Sequence, residues 1–231
     1  MKIRIVLVAG LALVGAAVHA DAASLNNTGL NPTLGGVDPY WTLAGTTSSA
    51  PTGVHTYDSI SNGTFPQPPY IANSTTSGWA TPLPAASPYP YDGAGGPGAT
   101  YTFQTTFYTN TAALDSFTGQ YAADNEVVLI KLNGATLYSN TPNVNATEYS
   151  YWTGFGAAPG VGFVNGLNTL QITVYNAPYT ADYGNPIGLD VQFLTQNIGV
   201  PEPAAWALML AGVGFAGAAL RRARRQAPVA V

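Results

Sequence analysis

From residue 99 onward the chain alternates in hydrophobic character. Over residues 99–108, Tyr101, Phe103, Thr105 and Phe107 fall on one face and Thr102, Gln104, Thr106 and Tyr108 on the other, which predicts a half-buried strand. Residues 126–132 are nearly continuously apolar through Val127, Val128, Leu129 and Ile130, then meet Asn133-Gly134 and residues 135–138. That order predicts a hairpin whose first strand is central in a sheet. Residues 167–176 set Leu170, Ile172 and Val174 against Thr169, Gln171 and Thr173, and residues 188–194 place Leu189, Val191 and Phe193 on one side. Two more amphipathic strands are expected there.

Upstream the pattern breaks. Eight prolines fall between Pro66 and Pro97, followed closely by glycines, so regular central strands are excluded over much of residues 24–98. Short strands fit residues 40–43, 54–57 and 78–81. The aromatics of this stretch, Trp41, Tyr57, Phe65, Tyr70, Trp79, Tyr89 and Tyr91, carry too much burial potential for a disordered linker. Long Pro/Gly-rich loops packed over a sheet are the expectation.

Both ends are apolar. Lys2 and Arg4 precede an uncharged run over residues 5–17, and Val18-His19-Ala20 supplies small or permissive residues after it. This is the form of a signal peptide, a helix removed by cleavage after Ala20, with Ala22 and Ala23 as alternative sites. Residues 204–220 contain no charged residue and no Asn, Gln, Ser or Thr. As a helix they would rise roughly 25 Å, just enough for a transmembrane helix. Arg221, Arg222, Arg224 and Arg225 follow as a cytoplasmic flank, which places the body on the outer face. Pro201 and Pro203 hold Glu202 in an extended segment immediately before that span.

Removing the ends changes the charge balance. Of the seven basic residues only Lys131 lies within residues 21–200, against ten carboxylates, all eleven acidic residues but Glu202. A body about nine charges negative repels phosphate backbones, so a nucleic-acid partner is excluded. There is no cysteine, hence no disulfide framework and no thiol nucleophile. The Gly, Pro, Thr, Asn, Ser and Tyr content over about 180 mature residues points to one all-β domain with long loops.

The tail resembles the PEP-CTERM sorting signal of Gram-negative bacteria: a Pro-Glu-Pro motif, a short glycine-containing apolar helix and a terminal arginine cluster. The resemblance implies that Pro201, Glu202 and Pro203 are recognised by an exosortase, a membrane cysteine transpeptidase. It also implies an inner-membrane precursor whose body ends at the cell surface or in the extracellular matrix. Ala123-Asp124-Asn125-Glu126, Leu132-Asn133-Gly134, Gly166-Leu167-Asn168-Thr169-Leu170 and Asn185-Pro186-Ile187-Gly188-Leu189 are together similar to the galactose-binding-like jelly roll. That resemblance implies a single antiparallel β-sandwich with its core over residues 99–196. The organisation expected is a signal peptide at 1–20, a Pro/Gly-rich part at 21–98, the core, a linker at 197–203, a span at 204–220 and a basic tail at 221–231.

Chemistry is sparse. His55 is the one histidine outside the signal peptide, which excludes the usual triads and zinc sites. Asp124, Glu126, Glu148 and Asp182 are the carboxylates a glycosidase could use. Nothing in their spacing selects a pair, and acidic residues on a soluble β-sandwich are expected to solvate it. No catalytic residue is assigned. Asp124 and Asn125 before a strand, with Asp182 and Asn185 in a Gly/Pro turn, are the candidate ligands for calcium, which prefers such hard oxygen donors. Trp79, Tyr149, Tyr151 and Trp152 are the candidate aromatic platforms for sugar rings. An exported, non-catalytic protein that acts structurally or adhesively with extracellular polysaccharide, as in a biofilm matrix, is the function expected. A calcium-assisted carbohydrate-binding module is the alternative.

Overall fold

In a computed structural model the residues described are 24–30, 35–48, 50–59, 66–83, 98–178 and 185–199, with 212–215, 217, 221 and 222 in the tail. The strands are β1 (Val37–Thr46), β2 (Val54–Asp58), β3 (Ala80–Thr81), β4 (Ala99–Thr109), β5 (Ser116–Asp124), β6 (Glu126–Leu132), β7 (Ala135–Ser139), β8 (Thr153–Ala157), β9 (Gly166–Asn176) and β10 (Gly188–Asn197). A single 3-10 turn, Glu148–Ser150, precedes β8.

All ten strands join one sheet in the order β7-β6-β9-β4-β1-β2-β3-β10-β5-β8, and every pair in it is antiparallel. The sheet wraps nearly into a barrel, with its two end strands β7 and β8 close to each other. Continuity depends on β3, two residues long, which pairs with β2 through Thr81 and Ala80 and with β10 through Ala80.

The inward faces of both halves share one core. In β4 the buried positions are Ala99, Tyr101, Phe103, Thr105, Phe107 and Thr109, and in β9 they include Leu170, Ile172 and Val174. Period-2 alternation therefore predicts the buried face of both strands. Phe117 of β5 meets Phe155, Phe163 and Phe193 edge-on, at ring separations of 5.7, 6.1 and 5.5 Å. The hairpin forms at Asn133-Gly134, whose φ values of 50° and 84° are the left-handed pair that a tight two-residue turn requires.

Two strands, β5 and β8, carry no sequence signature. In β5 the last four residues, Tyr121, Ala122, Ala123 and Asp124, are all buried, so the alternation disappears. In β8 the sequence Thr-Gly-Phe-Gly-Ala has poor strand propensity. The two are matched sterically instead: Gly119 pairs with Phe155, and a Cβ on Gly119 would lie 2.8 Å from the Phe155 ring.

The early region packs as loops over the sheet. Thr28 bonds the β10 backbone at Val191 in both directions and donates its hydroxyl to Gly78 O at 2.7 Å. Residues 24–30 and the loop around Gly78 thereby cover the outer side of β10. The expected signal helix and the Pro-Glu-Pro motif lie outside the described residues. So does most of the expected span at 204–220, within which residues 212–215 and 217 are helical. Among the described residues no helix is long and apolar enough to cross a membrane.

Candidate functional site

Two surfaces concentrate polar chemistry. The first lies where β5 runs into β6. Trp79, Tyr149 and Trp152 gather here with Tyr70, Ile71 and Ala122 in a second, smaller apolar cluster. Tyr70 stacks on Tyr149 at 4.6 Å and meets Trp79 edge-on at 5.7 Å. The Trp79 indole donates to Ile71 O at 2.7 Å and has no exposed surface. Trp79 is thus corrected from a sugar platform to the floor of the cluster, because its ring is worth more buried against Ala122 than in water. Tyr149 and Trp152 are half-buried, and Tyr151 is 50% exposed.

Three of the expected calcium ligands, Asp124, Asn125 and Asn185, are engaged with protein. Asn125 Oδ1 accepts from Ala177 N at 2.7 Å, and Asn185 Nδ2 donates to Ala177 O at 2.8 Å. Asp124 Oδ2 accepts from the Tyr70 hydroxyl at 2.8 Å. Asp182 lies outside the described residues. Among those described, no group of three or more His, Cys, Asp or Glu side chains is placed to hold a metal ion. The turn motifs fasten to one another likewise: Asn133 Nδ2 donates to Asn168 Oδ1 at 2.7 Å, and Asn168 Nδ2 donates to Val164 O and Gly166 O.

The carboxylates correct a further expectation. Asp38, Asp58, Asp115, Asp124, Glu126, Glu148 and Asp190 are all buried, and no other acidic residue is described. They do not solvate the surface; they tie loops to strands. Asp38 accepts from the backbone of Gly29, Tyr40 and Trp41. Glu126 accepts from Asn140 Nδ2 and Asn143 N, Glu148 from Val127 N at 2.7 Å, and Asp115 from the Thr111 hydroxyl and Gly199 N. Such bonds recover part of the cost of burying a charge. Where they are few, the pKa rises. Desolvation pushes Asp124 up to about 7 against the single Tyr70 bond, and pushes Asp190 to about 7 against bonds from Ser77 and Thr28. Burial also raises Asp38 and Glu148, the latter with help from the charge of Glu126.

The second surface is the outer face of β1, β4, β9, β6 and β7. Register places Thr42 beside Gln104, Gln104 beside Gln171, Gln171 beside Lys131 and Lys131 beside Thr136. One polar row thus crosses five strands. Gln171 Nε2 donates to Gln104 Oε1 at 2.9 Å, and in the next row the Thr102 and Thr173 hydroxyls are 3.0 Å apart. Gly45, lacking a side chain, leaves a cleft of about 270 Å³ between the rows, lined also by Leu129 and Lys131. Sequence alone marks Gln104 and Gln171 as outward-facing and Lys131 as a lone cation; only the register brings them together.

Fold and tail together define an exported all-β protein with a C-terminal sorting signal. Residues 199–225 match the PEP-CTERM protein-sorting motif. A motif of this kind implies an exported protein that an exosortase processes and that is membrane-anchored beforehand. In the matched stretch Arg221 and Arg222 are helical and exposed, while Pro201, Glu202, Pro203, Arg224 and Arg225 lie outside the described residues. No curated protein and no solved structure matches the chain.

Proposed function

We propose that the body is a non-catalytic structural or adhesive component of an extracellular polysaccharide layer at the cell surface, delivered there by its sorting tail. The supporting observation is the burial of every described carboxylate. Among the described residues it leaves hydroxyls, amides and phenols as exposed polar groups, which exchange hydrogen bonds with water or with polysaccharide hydroxyls on similar terms. A polyanionic surface would instead repel the uronic acids common in such layers. We read the wrapped sheet as a sandwich of the jelly-roll kind, with Tyr149, Tyr151 and Trp152 as the aromatics that remain available at its rim.

The same burial argues against catalysis by Glu126 and Glu148, each fixed on backbone or amide donors. The test is cosedimentation of the full chain, purified in mild detergent, with the producing cell's own exopolysaccharide, with and without calcium. Saturable retention supports the reading. Absence of retention in both conditions refutes it, and retention seen only with calcium favours a calcium-assisted module.

A further inference from the structure

Lys131 is the sole cation between the signal peptide and the tail. It stands at a definite place, in the cleft of the outer face and in register with Gln171. Among the described residues its ammonium has neither an ion pair nor a hydrogen bond, because every described carboxylate is buried elsewhere. A surface lysine of an acidic protein is ordinarily close to an acid; this one is surrounded by neutral donors and acceptors. We infer that the Thr42–Gln104–Gln171–Lys131–Thr136 row is a glycan-binding track for a largely neutral polysaccharide chain carrying isolated carboxylates, one of which pairs with Lys131.

Three observations converge on this occupant. The row advances by one strand per residue, roughly 4.8 Å at a step, which is close to the length of one pyranose in an extended chain. Its amides are only partly used: one N–H of Gln171 and both of Gln104 are unengaged among the described residues, and Thr102 and Thr173 add two hydroxyls beside them. The cleft, about 270 Å³, is just below the usual range of ligand pockets, roughly 300–1,000 Å³, a size for one sugar ring with its carboxylate. A densely charged polymer is disfavoured because one cation cannot neutralise it against the acidic interior, whereas one acid per few sugars meets one ammonium.

This inference rests on the polysaccharide reading above and deepens it. Its test is isothermal titration of the full chain in mild detergent with three octasaccharides: a neutral N-acetylhexosamine-containing chain carrying one glucuronic acid, the same chain with that carboxyl reduced, and an all-neutral glucan. Binding is measured at low salt, with EDTA present. The acidic octasaccharide is expected to bind at least tenfold tighter than its reduced form. Lys131→Gln should abolish that difference, and a Thr102→Val, Thr173→Val double variant should weaken all three ligands several-fold while the thermal midpoint stays near that of the parent. Equal binding of acidic and reduced chains, or an unchanged preference in Lys131→Gln, overturns the track. Loss of binding in Trp152→Ala with Lys131→Gln unaffected also overturns it but leaves the polysaccharide reading standing. Failure of all three octasaccharides together with failure of the native exopolysaccharide removes both.

Discussion

Stability should fall as the pH rises from 5 to 8, against the usual behaviour of carboxylates that are well paired in the native state. Asp124 and Asp190 are raised from an ordinary value of 3.8 to about 7 by burial. Between those limits the folded protein keeps two protons that the unfolded chain has released. The unfolding free energy therefore declines with pH, by about 1.4 kcal/mol per unit for each group. Integrated from pH 5 to pH 8, each site accounts for roughly 2.6 kcal/mol and the pair for about 5 kcal/mol. Stabilisation is complete below the unfolded value and gone above the folded one. Asp38 and Glu148, also raised, act in the same sense. For a chain of this size such a loss lowers the melting midpoint by on the order of 10–20 °C.

Asp190→Asn separates the terms. Asp190 is fully buried under Thr28 and Ser77, its Oδ2 has no hydrogen-bond partner, and Oδ1 is 3.4 Å from the Thr28 hydroxyl. A neutral amide of the same shape removes one of the two linked protons, so the pH-dependent loss should shrink by about half. Thermal melts followed by circular dichroism at fixed ionic strength, for the parent and the variant, measure both quantities. A parent protein as stable at pH 8 as at pH 5, or a variant that keeps the full slope, refutes the reasoning.

Other outcomes follow from the packing and the tail. Gly119→Ala places a methyl 2.8 Å from Phe155 and 2.9 Å from Gln192 O and should cost about 1–3 kcal/mol in urea unfolding. Phe117→Ala empties the site facing three aromatic rings and should cost about 3–5 kcal/mol by the same measurement. Asn133→Ala removes the bonds to Gly162, Asn168 and Thr169 from a residue at φ 50°; a loss of about 1–3 kcal/mol is expected, visible as faster amide exchange in β7. Glu202→Ala should leave the unprocessed precursor in the membrane fraction, read by immunoblot, while the body folds normally.

How much could be read beforehand depended on whether one strand carried its own information. β4, β9 and β10 were legible because an apolar residue at every second position can be satisfied only by one buried face; β6 was legible as a short continuous apolar run ending at Asn133-Gly134, which marked the hairpin to β7. β5 and β8 were not, since Gly119 and Phe155 make sense only as a pair. Trp79 and Tyr149 were visible as aromatics, but the sequence does not distinguish a platform from a floor. Asp124 and Asn125 were visible as oxygen donors, yet Ala177 and Tyr70, which occupy them, are 52 and 54 residues away. The row through Gln104, Gln171 and Lys131 was hidden for the same reason: each residue faces outward on its own strand, and only pairing aligns them. The sorting motif matched at residues 199–225 was legible because its parts are contiguous.

The near-closure of the sheet has a consequence for an exported protein at high local concentration. Open edges are where β proteins run into one another and polymerise through their backbones. Here the two terminal strands are short, five residues each, and face each other across the seam. Neighbouring copies are left with little main chain to recruit. Any association between copies must then come through side-chain faces, which form and release reversibly, so copies can be packed densely without setting into fibres.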